Sequence, residues 1–217
     1  MRFRPTMSAV LVAACSLVAT TALMTTTAPA APPPVKAGKP PKPTPTPVPT
    51  PIPTPAPVNP ADADFVGMMI PHHYQALLMS GLAPTRSNDQ AVLALASQID
   101  AEQRLEITMM QGWQGWNGLE VTNAEQAYQE MLQDPMMLEM MGMASPEQMA
   151  ALSAAQGRDF DVMFLRLMIR HHQGAIDMCV DVLASGSDEI LRGWANDMYV
   201  TQQAQINWMQ DLLASKT

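Results

Sequence analysis

Met168-Ile169-Arg170-His171-His172-Gln173-Gly174-Ala175-Ile176-Asp177-Met178 repeats an earlier stretch, Met69-Ile70-Pro71-His72-His73-Tyr74-Gln75-Ala76-Leu77-Leu78-Met79, at an offset of 99 residues. The same offset carries Asp62 and Phe65 onto Asp161 and Phe164. It also carries Gln103, Glu106, Ile107 and Met110 onto Gln202, Gln205, Ile206 and Met209. All 4 histidines of the chain lie in the two pairs. A fixed internal period sets the unit of folding before any single residue is interpreted. Here the unit is a helical hairpin used twice.

Placed at 100° steps, Phe65, Met69, His72, Ala76 and Met79 fall within one narrow arc, as do Phe164, Met168, His171, Ala175 and Met178. His73 and His172 lie one step further round. The second helix of each hairpin carries its own stripe: Ala96, Ile99, Gln103, Ile107 and Met110 in one, Ala195, Met198, Gln202, Ile206 and Met209 in the other. Glu106 stands beside the first of these. The spacing predicts long helices over about 62–80, 87–113, 158–183 and from Gly186-Ser187 to 214, with Gly81 stopping the first and Pro71 kinking it. Gly112, Gly115 and Gly118 break the second. Between the hairpins, Asn123-x-x-Gln126 and Ser145-Pro146-Glu147-Gln148 are helix-start signals, and Asp134-Pro135 is a break. No stretch alternates in the manner of a strand. The domain therefore reads as all-α: a four-helix bundle of two duplicated helical hairpins with a short Met-rich helical insert.

The rest of the chain reads differently. Arg2 and Arg4, the apolar run Ala9–Met24 and the small-x-small Ala28-Pro29-Ala30 make residues 1–30 a signal peptide for export to the periplasm, cell envelope or exterior. Val12-Ala13-Ala14-Cys15 also resembles a lipobox, which would make Cys15 a lipid anchor, although the apolar run before it is short. An uncleaved anchor is the third reading, with a run at the low end for spanning a bilayer. Residues 31–60 are a proline-rich linker, a polyproline-type stalk reaching about 90 Å at roughly 3.1 Å per residue. The bundle occupies 61–217. The formal charge is −8, which excludes a nucleic-acid binder that works through a basic face. With Cys15 removed, Cys179 has no partner for an internal disulfide.

Methionine is a flexible apolar filler, and a Met stripe at helical spacing serves as core. Imidazole is different, because burying it is costly unless both nitrogens find partners. Four imidazoles at equivalent places on duplicated helices, each central one with Met three residues before and seven after, make a nitrogen and thioether donor set. That set suits Cu(I) and, by chemical similarity, Ag(I). A di-iron or di-manganese bundle would need Glu-x-x-His, which occurs nowhere in the chain, and the inward Glu106 becomes Gln205 in the second copy. A structural zinc site would use Cys or four converging His, and Cys179 is alone; calcium or magnesium would need more inward oxygens. The Met131–Met149 segment holds further methionines, for which packing and a second soft-metal site remain equally open.

The paired Met-Ile-x-His-His-x-x-Ala-x-x-Met motifs, the Phe three residues after each Asp and the Gln-x-x-Glu-Ile-x-x-Met run resemble the domain-of-unknown-function family 305, which includes exported copper-binding proteins of the CopM type. The resemblance covers about 61–214. It implies a ferritin-like bundle and, for some members, periplasmic copper binding and resistance. The ligands it implies are His72, His73, His171 and His172, with Met69, Met79, Met168 and Met178 as soft partners. Pro71 and Tyr74 in the first copy and Gln205 in the second depart from a common pattern, so the two sites are expected to differ in geometry. The reading is then an exported copper binder that buffers or transfers the ion or confers resistance, with copper as its ligand, a delivery or efflux protein as partner, and no enzymatic activity. A metal-free interaction module on a stalk is the alternative reading, and a metal-dependent enzyme is a further one.

Overall fold

The computed structural model describes residues 57–216, so the signal segment and nearly all of the linker lie outside the described residues. Among the described residues there are seven helices and no strand. Helix α1 (Pro60–Arg86) starts two residues before the expected start near Asp62: Asn59 accepts from the Ala61 N–H at 3.0 Å, and Pro60 takes the first turn, where its missing N–H costs nothing. It does not stop at Gly81. A glycine ends a helix by turning left-handed, and Gly81 has no positive φ. The helix continues through Pro71 and Pro84 to Ser87, whose N–H returns to the Ala83 carbonyl.

Helix α2 (Gln90–Trp116) is capped by Asp89, runs through Gly112 and Gly115, and closes just before Gly118, which has φ 68°. The insert is three short helices, divided at the expected break and starts: α3 (Ala124–Met131), α4 (Pro135–Met140) and α5 (Pro146–Ala154). The capping box expected at Ser145 is formed, with Gln148 reaching back to the Ser145 N–H. Helix α6 (Gly157–Ser185) ends at Gly186, and α7 (Glu189–Ala214) takes Asp188 as its N-cap instead of the expected Ser187.

The four long helices form the bundle. Helix α1 packs on α2, α6 on α7, and α1 on α6. The last pair runs antiparallel, because Phe65 and Val66 share a core cluster with Cys179 and Val182, whereas Met79 and Ala83 share the other with Phe160 and Phe164. Each hairpin also clamps the turn of its twin. Asp62 accepts from the Ser187 and Asp188 N–H groups at 3.0 and 2.9 Å, and its counterpart Asp161 accepts from the Ser87 hydroxyl at 2.5 Å. The buried aspartates that recur at the period are thus structural ties between the copies.

Candidate metal centre

The layer between the two core clusters is where the histidines meet. His72, His73, His171 and His172 are all 0% exposed. The rings of His72 (α1) and His171 (α6) lie with centroids 3.7 Å apart and planes tilted by 31°. His73 stands 6.2 Å from His72, and His172 stands 6.3 Å from His171, so the four rings form one cluster inside the bundle. The inward arc predicted for His72 and His171 is the α1–α6 contact. The step to His73 and His172 turns those rings toward α2 and α7.

Each Nε2 meets an acceptor. His72 Nε2 donates to the Met141 carbonyl at 3.1 Å and His171 Nε2 to the His72 carbonyl at 3.0 Å. His73 Nε2 donates to the Glu106 carboxylate at 2.7 Å and His172 Nε2 to Gln205 Oε1 at 2.8 Å. The Gln205 amide is oriented from its other end, where Nε2 donates to Glu102 at 2.6 Å. A carbonyl oxygen can only accept, so the ring proton sits on Nε2 and the lone pair on Nδ1. All four Nδ1 atoms are buried and none has a partner in good hydrogen-bond geometry, although the Met168 backbone stands near the His172 ring and favours its protonation. Buried polar atoms are normally paired, so four unpaired lone pairs in one layer demand an account.

The lone pairs are available at neutral pH. Burial pushes the His72 imidazole down from its ordinary 6.5 to about 3, with the neighbouring His73 ring adding to the effect. Burial likewise pushes His172 down to about 4 and His171 well below its ordinary value. Buried among other imidazoles, these rings stay neutral, and a neutral imidazole is the form that ligates a metal.

The methionines divide. Met69, Met79 and Met168 are fully buried, whereas Met178 is half-buried among residues facing the insert. Met69 and Met168 stand one turn from His72 and His171. Met79 and Met178 stand seven residues on, a helical rise of about 10.5 Å. No three His, Cys, Asp or Glu side chains among the described residues converge as a ready-made cage. The nitrogens present suit an ion of low coordination number that accepts thioether as well as imidazole. Two residues the sequence reading left in the apolar stripes belong to this layer by chemistry: Gln103 and Gln202, both buried, have neither amide atom hydrogen-bonded. Their recurrence at the period was the available signal.

The insert docks against the same layer, at the positions where the two motifs differ. Gln75 clasps Ala144, donating to its carbonyl at 2.8 Å and accepting from its N–H at 2.7 Å. Its counterpart Gly174 lies against the Met141 carbonyl, where any Cβ would overlap. Arg170, opposite Pro71 in the repeat, donates to the Gly142 and Met143 carbonyls at 3.1 and 2.6 Å. Met141 and Met143 are buried beneath the insert, while Met136 and Met140 are exposed.

The sequence profile described as "Domain of unknown function (DUF305)" matches residues 62–213. Among solved structures, a fragment from Deinococcus radiodurans described as DUF305 is 32% identical, with TM-score 0.65, covering 74% of this chain and 99% of that one. A DUF305 protein from Streptomyces coelicolor, assigned as secreted, is 30% identical with TM-score 0.63, covering 72% and 93%. CopM in its Cu(I)-bound form is 27% identical with TM-score 0.56, covering 71% and 96%. CopM has also been solved in Cu(II)-bound and Ag-bound forms. Among curated proteins nothing matches the sequence.

Proposed function

Because the chain belongs to the DUF305 family, with all-helical neighbours that include metal-loaded CopM, we propose that it is an exported binder of a soft metal ion, Cu(I) with Ag(I) as its analogue. The ion is cargo to be buffered, transferred or sequestered, and the chain performs no catalysis on it. The observation that carries this reading is the set of four buried Nδ1 lone pairs, each set opposite an Nε2 already committed to an acceptor. Metal-ligating imidazoles characteristically donate their other N–H to a carboxylate, carbonyl or similar acceptor. The layer has that form on all four rings. Met69 and Met168 supply thioether one turn away, and soft sulfur with imidazole selects Cu(I) over harder ions. Export accords with the Streptomyces neighbour, and no described helix is long and apolar enough to cross a membrane.

The test is anaerobic competition titration of Cu(I), Ag(I), Zn(II) and Fe(II) on wild type, His72→Ala/His73→Ala and His171→Ala/His172→Ala. Cu(I) and Ag(I) are expected to bind far more tightly than Fe(II). Because His72 and His171 touch, each double variant should weaken binding contributed by the other pair, giving strongly non-additive losses. Iron binding equal to copper would overturn the choice of metal. Additive losses, with half the stoichiometry kept at full affinity, would overturn a layer shared by the two copies.

A further inference from the structure

The two halves of the histidine layer differ in what stands behind the outer imidazole, and we propose that this difference makes a cation load the His73 half first. The inference rests on the metal-binding reading above. His73 gives its Nε2 proton to a full carboxylate, Glu106, at 2.7 Å. His172 gives its proton to the neutral amide oxygen of Gln205 at 2.8 Å. A carboxylate does stand behind that amide, since Gln205 donates to Glu102 at 2.6 Å, but it is one group further from the ring.

The electrostatic consequence follows from burial. A cation placed at Nδ1 of these rings leaves water for a layer whose donors are neutral imidazole, thioether and amide, and an uncompensated buried charge is expensive. A carboxylate accepting the opposite N–H raises the basicity of the ligating nitrogen and offsets part of the incoming charge. Glu106 does this directly, and Gln205 only by relay. The Glu106 side chain is 20% exposed, so its charge could be solvated without His73. The pairing is therefore read as serving the ring rather than the helix. Glu106 is a positioning residue that acts through His73, and the substitution of its repeat counterpart by Gln205 sets an order of filling.

The experiment uses protein with ¹⁵N-labelled histidine, titrated with substoichiometric Ag(I) and followed through the imidazole nitrogen shifts. In wild type the His73 ring is expected to move first, with its half binding about 10–100-fold more tightly than the His172 half, the range for loss of such an outer partner. Glu106→Gln should level the two. Glu106→Gln with Gln205→Glu should transfer the preference to His172, a reversal that a merely structural role for Glu106 would not produce. Should the double variant fail to fold, Gln205→Glu alone is expected to raise the His172 half to the level of His73. His172 moving first or together with His73 in wild type, or an order that survives Glu106→Gln, overturns the inference alone. No imidazole shift in wild type overturns the metal-binding reading and this inference with it.

Discussion

At either end of the bundle the long helices meet through Phe, Leu, Ile, Val, Ala and Met side chains closed off from solvent. At mid-height the same helices bring together four histidines whose Nδ1 atoms have no partners, and one turn from their acceptors Glu106 and Gln205 the buried amides of Gln103 and Gln202 are unpartnered too. The ends obey the ordinary rule that apolar surface is buried and close-packed. The layer between them breaks the companion rule that buried polar atoms are satisfied. Such a layer survives because the ends overdetermine the fold, and the contrast teaches where stability and function are separately encoded. Substitutions at the ends should lower stability and leave binding alone, and substitutions in the layer should change binding without that loss.

The largest effect of a single substitution is expected at the ends. Phe164 is fully buried and stacks on Phe160 at 5.7 Å between ring centroids. Phe164→Ala should cost about 3–5 kcal/mol by lost burial and the cavity left behind. Chemical denaturation measures that loss, and titration of the folded fraction with Ag(I) should return the wild-type stoichiometry. A changed stoichiometry at full folding would erase the division between ends and layer.

Acid should attack the layer and spare the ends. The folded-state values of His72, His171 and His172 are lowered by burial, to about 3 for His72 and about 4 for His172, against 6.5 in the ordinary state. Below pH 6.5 the unfolded chain therefore binds protons that the folded chain refuses. Stability is full above that pH and is lost as pH falls toward the folded values, by about 1.4 kcal/mol per pH unit for each such ring. Denaturation of the metal-free protein at pH 7, 6 and 5 tests this in a range where most carboxylates stay ionised. Stability that holds level from pH 7 to 5 would mean that the folded rings take up protons as readily as the unfolded ones, with acceptors or water at Nδ1.

The duplicated motif made the helices, the inward arcs and the four histidines legible, because a repeat at fixed offset reports equivalent positions whatever their chemistry. The tie from Asp62 to the Ser187–Asp188 turn was present as a recurring Asp, but its partner lay 125 residues away and no local pattern named it. The departures between copies were visible without their cause. Gln75, Arg170 and Gly174 differ from their counterparts because the insert lands on one side of the layer and breaks its symmetry. Gly81 misled because a helical glycine and a stopping glycine are the same letter until φ is known.

The smallest effect separates a layer built for a ligand from one that is merely imperfect. Gln103 and Gln202 occupy equivalent places on α2 and α7, are almost completely buried, and offer an amide oxygen and nitrogen that nothing in the fold engages. An unsatisfied buried amide costs about 1–3 kcal/mol, and an apolar side chain of similar size avoids that cost. Gln103→Leu and Gln202→Leu should therefore each stabilise the metal-free protein by about 1 kcal/mol, a rise in Tm of about 2–4 °C for a chain of this size. They lie on different helices, α2 and α7, each one turn from the acceptor of its own histidine, so the two gains should add. Calorimetry on both single variants and the pair decides. A fall in Tm in either would mean that its amide is engaged, by water or by the neighbouring Nδ1 atoms, and that the layer is satisfied without metal. A rise in both would mean that the sequence holds two polar groups in its core at a standing cost to stability, which is the pattern expected where a ligand, and not the fold, is their partner.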